Sequence, residues 1–133
     1  MRIVYDDTMQ NETVRAVREV INYLAKGGNV NAILRDEYRM PRAQRGLLKE
    51  RLACALDHRG MTIGNDVHHA HGIGNNCRYP VYYHPENDNE IQHCAYLHIN
   101  IDPYGEAFVY VTDYDDKRVG RAYALSRHGV RLV

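Results

Sequence analysis

The run IQHCAYLHINIDPYGEAFVYVT, residues 91–112, alternates apolar and polar positions on both sides of a turn signal. A period of two is the signature of a strand with one buried face, and no helix satisfies it. Two registers are open to the hairpin. With Asp102-Pro103-Tyr104-Gly105 as a type I turn and Gly105 taking positive φ in a bulge, Ile101 faces Ala107, Ile99 faces Val109 and Leu97 faces Val111. One face is then wholly aliphatic. A simple two-residue turn would oppose aliphatic to polar-aromatic positions, and a one-residue slip of that kind is penalised when one face must be buried. The bulged register is therefore expected, with Cys94, Tyr96, His98 and Asn100 beside Phe108, Tyr110, Thr112 and Tyr114 on the other face.

The aliphatic face needs a cover, and the first 60 residues supply one. Val14, Val17, Val20, Ile21 and Leu24 recur at helical spacing after Asn11, and Gly27-Gly28 ends the run. Asn29 is placed to cap a second short helix through Ala32, Ile33 and Leu34. Pro41 suits the first turn of a third, which carries Leu48, Leu52, Ala55 and Leu56 to Gly60. MRIVY reads as a strand or an arm lying on the body. Residues 61–78 are rich in glycine, asparagine and histidine and read as a connecting loop. From residue 79 onward a meander follows, with turn signals at PENDN, DPYG and YDDK. The expected architecture is α+β: a single domain over 1–133, its N-terminal three-helix subdomain packed on one face of an antiparallel sheet of about four strands.

Composition narrows the function classes. Seventeen basic and seventeen acidic residues leave no net field to draw nucleic acid or anionic membrane. The basic residues concentrate at Arg35, Arg39, Arg42, Arg45, Lys49 and Arg51. Three cysteines, Cys54, Cys77 and Cys94, at irregular spacing and an N-terminus without an apolar run point to a reducing, cytoplasmic setting. No stretch is long and apolar enough for a membrane span. Eleven tyrosines against one phenylalanine and no tryptophan favour surfaces that bury a ring while presenting a hydroxyl.

Eight histidines and three cysteines raise the question of metal. The paired spacing of a structural zinc site is missing. His93 and His98 stand an odd number of residues apart, which on a regular strand sends them to opposite faces. Cys94 and His98 share a face there, but about 13 Å of strand lies between them. HHAHGIGNNC, residues 68–77, reads as a polar hinge, and neither metal nor cofactor is expected. Cys54 falls near the apolar face of the third helix, where a small buried hydrophobe is the default. If the chain is an enzyme, His98, His69 and Tyr110 are the candidate acid–base groups, and a small nuclease is the class they suit.

LAKGGNVNAILRDEYRMPRAQRGLLKERLACAL, residues 24–56, resembles a helix-turn-helix. That resemblance implies a DNA-binding regulator using residues 29–56. Its third helix would offer Arg42, Gln44 and Arg45 to base edges, with Arg39 and Lys49 for phosphates. YALSRHGVRLV resembles the strand and cap that close winged-helix domains. Neutral charge argues against nucleic acid as the main partner. The leading expectation is a small intracellular, non-enzymatic binding protein that docks onto a protein partner, an inhibitor or adaptor of the phage or mobile-element type. Its anchors are Arg42, Arg45, Tyr96, His98 and Tyr110, because tyrosine and arginine combine large contact area with directional polar groups.

Overall fold

The computed structural model describes residues 2–27, 47–65, 75–86, 89–101, 106–126 and 128–133. In chain order these form β1 (Arg2–Tyr5), α1 (Gln10–Gly27), α2 (Leu47–Asp57), β2 (Met61–Ile63), β3 (Asn75–Tyr83), β4 (Glu90–Ile101), β5 (Ala107–Thr112), β6 (Arg118–Ser126) and β7 (Gly129–Leu132). Strands β2 to β7 lie side by side in sequence order, each antiparallel to the next. β1 runs parallel to the first residues of β4, pairing Tyr5 with His93.

This corrects the expected three-helix subdomain on a four-stranded sheet: the described residues hold two helices and one seven-stranded sheet. The three additional strands are β1, which is the MRIVY segment that reads as a strand or an arm, and β2 and β7, whose segments carry no strong strand signal of their own. β1 and β2 are four and three residues long, too short for periodicity to reveal. β7 lies in the segment that resembled a winged-helix cap. β3 also begins inside the supposed loop, at Asn75. The expected second helix, at residues 29–34, and the start of the third lie outside the described residues.

The hairpin adopts the bulged register, with Ile101 opposite Ala107, Ile99 opposite Val109 and Leu97 opposite Val111. These side chains enter one core with Val17, Val20, Ile21 and Leu24 of α1 and Leu48, Leu52 and Leu56 of α2. A fully buried aliphatic side chain of this size contributes about 1.5–3 kcal/mol relative to leaving it in water. Burial of this face is therefore what holds the register. Helix α1 lies across β4 to β7, while α2 packs on α1 and on β2. The helices are amphipathic for that reason: α1 turns Arg15, Arg18 and Glu19 outward, and its buried stripe faces the sheet.

Two irregularities shape the sheet. Val81 pairs with Ala95 but Tyr82 pairs with His93, so β4 carries one extra residue, Cys94. A second lies between β5 and β6, where Val109 pairs with Tyr123 and Val111 with Val119; Gly120 sits there with φ of 76°. Pro80 is tolerated inside β3 because its carbonyl accepts from Gly64 N–H at 2.8 Å. Its missing N–H therefore points toward the short edge strand β2 and not into the β4 ladder.

Candidate functional site

The candidate site is the face of the sheet opposite the helices, and cross-strand register assembles it. Arg78, His98 and Tyr110 stand in one row across β3, β4 and β5, with Pro80, Tyr96 and Thr112 in the next. A third row runs Asn76, Asn100, Phe108, Ala124 and Arg131. Together with Asp116 of the β5–β6 turn, Asn76, Arg78, His98, Asn100, Tyr110 and Thr112 line a concavity of about 350 Å³.

Neighbouring side chains tie His98, Tyr110, Thr112 and Asn100 together, and Arg78 to Tyr96 and Asp116. The His98 and Tyr110 rings stack with centroids 4.5 Å apart and planes 6° from parallel. His98 Nε2 and the Thr112 hydroxyl share a hydrogen bond of 2.7 Å. Asn100 Nδ2 donates to the Tyr110 hydroxyl at 3.1 Å. The Arg78 guanidinium lies 4.5 Å over the Tyr96 ring and donates through Nη1 to Asp116 Oδ1 at 3.0 Å. Such contacts contribute about 0.5–1.5 kcal/mol each as hydrogen bonds, so several together fix rotamers without dominating stability. Burial pushes the Tyr96 hydroxyl above its usual pKa range, while Arg78 acts in the opposite sense.

Beside the concavity, His93 lies under a cluster of tyrosines. Its ring is 4.6 Å from Tyr96, 5.5 Å from Tyr82, 6.0 Å from Tyr5 and 6.2 Å from Tyr114. Nε2–H donates to the Ala95 carbonyl at 3.1 Å. Burial lowers the His93 pKa from its ordinary value, so the neutral ring is favoured. This placement reverses the parity expected for a regular strand. The extra residue at Cys94 returns His93 to the open face with Tyr96 and His98. Cys94 itself turns into the core, where burial pushes its thiol up to about 12. Cys94 thus does not share a face with His98.

Of the residues expected to act, Tyr96, His98 and Tyr110 lie together here. Lys49 lies on α2 with Nζ 4.5 Å over the Tyr79 ring, on the other side of the sheet. Arg39, Arg42, Gln44 and Arg45 lie outside the described residues, as do His68, His69 and His71. The Cys54 side chain is exposed, not buried as its helix position suggested. Among the described residues no group of three or more histidine, cysteine or acidic side chains is arranged to hold a metal ion. No helix among them is long and apolar enough to cross a membrane.

Sequence reasoning missed Arg78, Asn76 and Asp116. For the first two a signal existed, because Cys77, Tyr79 and Val81 alternate with Asn76, Arg78 and Pro80, extending the period of two into the supposed loop. Asp116 carries no such signal, since its place depends on a turn. No protein-family model, curated protein or solved structure matches the chain.

Proposed function

We propose that this chain is a non-enzymatic binding protein that docks a protein partner on the open face of its sheet, around Tyr96, His98, Tyr110 and Arg78. One observation carries the reading: the polar and aromatic groups of this face are locked to one another in cross-strand pairs before any partner arrives. Preorganised side chains lose little entropy on association, so their contact area converts efficiently into affinity. Tyrosine and arginine at the centre of a concave surface are also the residue types that anchor interfaces. The stacked, hydrogen-bonded His98 suits a fixed contact better than a mobile proton carrier. A reducing, intracellular compartment fits a chain whose three cysteines are joined in no disulfide, two of them buried.

The test is affinity capture from lysate of the native or host cell with a tagged chain, with and without nuclease, comparing three chains. A protein recovered near stoichiometry after nuclease treatment should be lost with Tyr96→Ala/Tyr110→Ala. It should be retained with Tyr23→Ser, which alters an exposed tyrosine on α1. Capture insensitive to the open-face variant, or recovery of nucleic acid alone, would refute the reading.

A further inference from the structure

We propose that β1 is a self-complementary edge through which two copies of this chain join, antiparallel about a two-fold axis passing between their Val4 residues. The inference does not depend on the docking reading above.

The pairing of β1 leaves one side of it open. Arg2 N–H donates to the Asn89 carbonyl at 3.2 Å and Asp6 N–H to the His93 carbonyl at 3.1 Å, so the even-numbered residues direct their backbone groups to β4. Ile3 and Tyr5 therefore turn N–H and C=O to the other side. Among the described residues nothing bonds these four groups. The side chains of Ile3 and Tyr5 share the open face of the sheet and are 59% and 43% exposed. The strand is nevertheless fixed in place. The Tyr5 hydroxyl accepts from Gln10 Nε2 at 3.2 Å and from Tyr114 N–H at 3.3 Å. A steady edge with unpaired backbone and exposed apolar side chains is a template for another strand.

The segment Arg2 to Asp6 selects its own copy as that strand. With Val4 on the axis, Ile3 faces Tyr5 of the second copy at both ends of the pair. Each of these two facing pairs exchanges two hydrogen bonds, four in all, and buries an isoleucine against a tyrosine ring. Val4 meets Val4 of the second copy in a close, non-hydrogen-bonded pair on the helix-facing side. Arg2 falls opposite Asp6 of the second copy, so opposite charges meet at both ends. Arg2 already pairs with Glu90 and Asp6 with Thr8, but the Arg2 side chain is 75% exposed and remains accessible to a further carboxylate. β7, at an edge of the same sheet, also exposes an apolar side chain, Leu132. Its odd-numbered residues face β6, with Val133 N–H donating to the Ala122 carbonyl, so the corresponding two-fold register of β7 sets Arg131 against Arg131. Like charges directly opposite one another disfavour that pairing. Because the axis of the β1 pair stands perpendicular to the sheet, both open faces lie on the same side of one continuous sheet.

Sedimentation velocity of the full chain tests the proposal. A four-residue edge makes a small interface, so a reversible monomer–dimer equilibrium is expected between micromolar and millimolar concentration. Ile3→Pro removes an outward N–H and leaves the ladder to β4 intact. Losing two of the four hydrogen bonds between copies should weaken the dimer at least about tenfold. Ile3→Lys should abolish it, and Leu132→Lys on β7 should leave it unchanged, with circular dichroism verifying that each variant folds. In a Cys54→Ser background, Val4→Cys should cross-link into a dimer with oxidised glutathione, because facing non-hydrogen-bonded residues have Cα atoms about 4.5 Å apart, within reach of a disulfide. Ile3→Cys should not cross-link, since in this register it faces Tyr5 and not its own copy.

A chain that stays monomeric throughout would overturn the proposal, as would a dimer indifferent to Ile3→Pro and Ile3→Lys or one lost with Leu132→Lys. Cross-linking through Ile3→Cys in place of Val4→Cys would refute the register. A monomer whose lysate partner is lost with Ile3→Lys would give the edge to a strand of another protein and overturn the second copy as its occupant.

Discussion

Gly120→Ala is the substitution whose effect the structure specifies most closely. Gly120 has φ of 76°, and a Cβ built there would lie 2.7 Å from Val14 Cγ1. Two penalties combine. Holding an L-residue in the left-handed region costs about 1–2 kcal/mol, and forcing a methyl into occupied space costs about 1–3 kcal/mol. Restricting the unfolded chain offsets about 0.4–1 kcal/mol of this. The net loss is on the order of 3 kcal/mol, a fall in Tm of roughly 10 °C for a domain of this length. Urea unfolding followed by circular dichroism reads it directly. Val14→Ala removes the obstructing methyls, so only the overlap penalty should be recovered in the double variant. That variant should be at least about 1 kcal/mol more stable than the two single losses predict when added. Additive losses would show that α1 does not press on β6 at this point. A loss below about 1 kcal/mol for Gly120→Ala alone would refute the left-handed geometry as well.

Three further outcomes follow from the same geometry. Leu97→Ala, in the middle of the core face, should cost about 3 kcal/mol by chemical denaturation, whereas a solvent-facing leucine would cost almost nothing. Burial holds the folded-state pKa of His93 below its unfolded value of about 6.5, so the unfolded chain binds the extra proton first. The stability this group contributes is complete above that value and is lost as pH falls toward the folded-state pKa; His93→Phe should flatten that part of a pH–stability profile, and an unchanged slope would count against the buried ring. At pH 8 a disulfide reagent should titrate Cys54 promptly, while Cys77 and Cys94, buried in the core, react only on unfolding; three fast thiols would contradict the core assignment.

Where one face of an element is buried over many residues, its sequence states the structure. The aliphatic stripe through Leu97, Ile99, Ile101, Ala107, Val109 and Val111 dictates the register of β4 on β5, and the stripe through Val17, Val20, Ile21 and Leu24 dictates α1. Short edge elements behave differently. β1 and β2 are too brief to show a period, and they become strands because β4 and β3 offer unpaired backbone to them. Tertiary context, not local propensity, makes that decision.

The place of His93 beside the site depends on a single insertion in the ladder, and there parity reasoning fails. Counting back from Leu97 in steps of two puts His93 with the core and Cys94 with Tyr96 and His98. One residue added opposite the Val81–Tyr82 step exchanges both assignments. The burial pattern shows the insertion directly, because Cys94 and Ala95 are consecutive and both fully buried, which a strictly alternating strand with one solvated face does not allow. Burying a thiol there costs little, whereas turning the His93 imidazole into an aliphatic core would leave its polar nitrogens without water. The bulge therefore resolves a conflict between the two side chains. In doing so it adds His93 to the face on which regular register already sets Tyr96 and Arg78, and brings its ring edge-on against Tyr96.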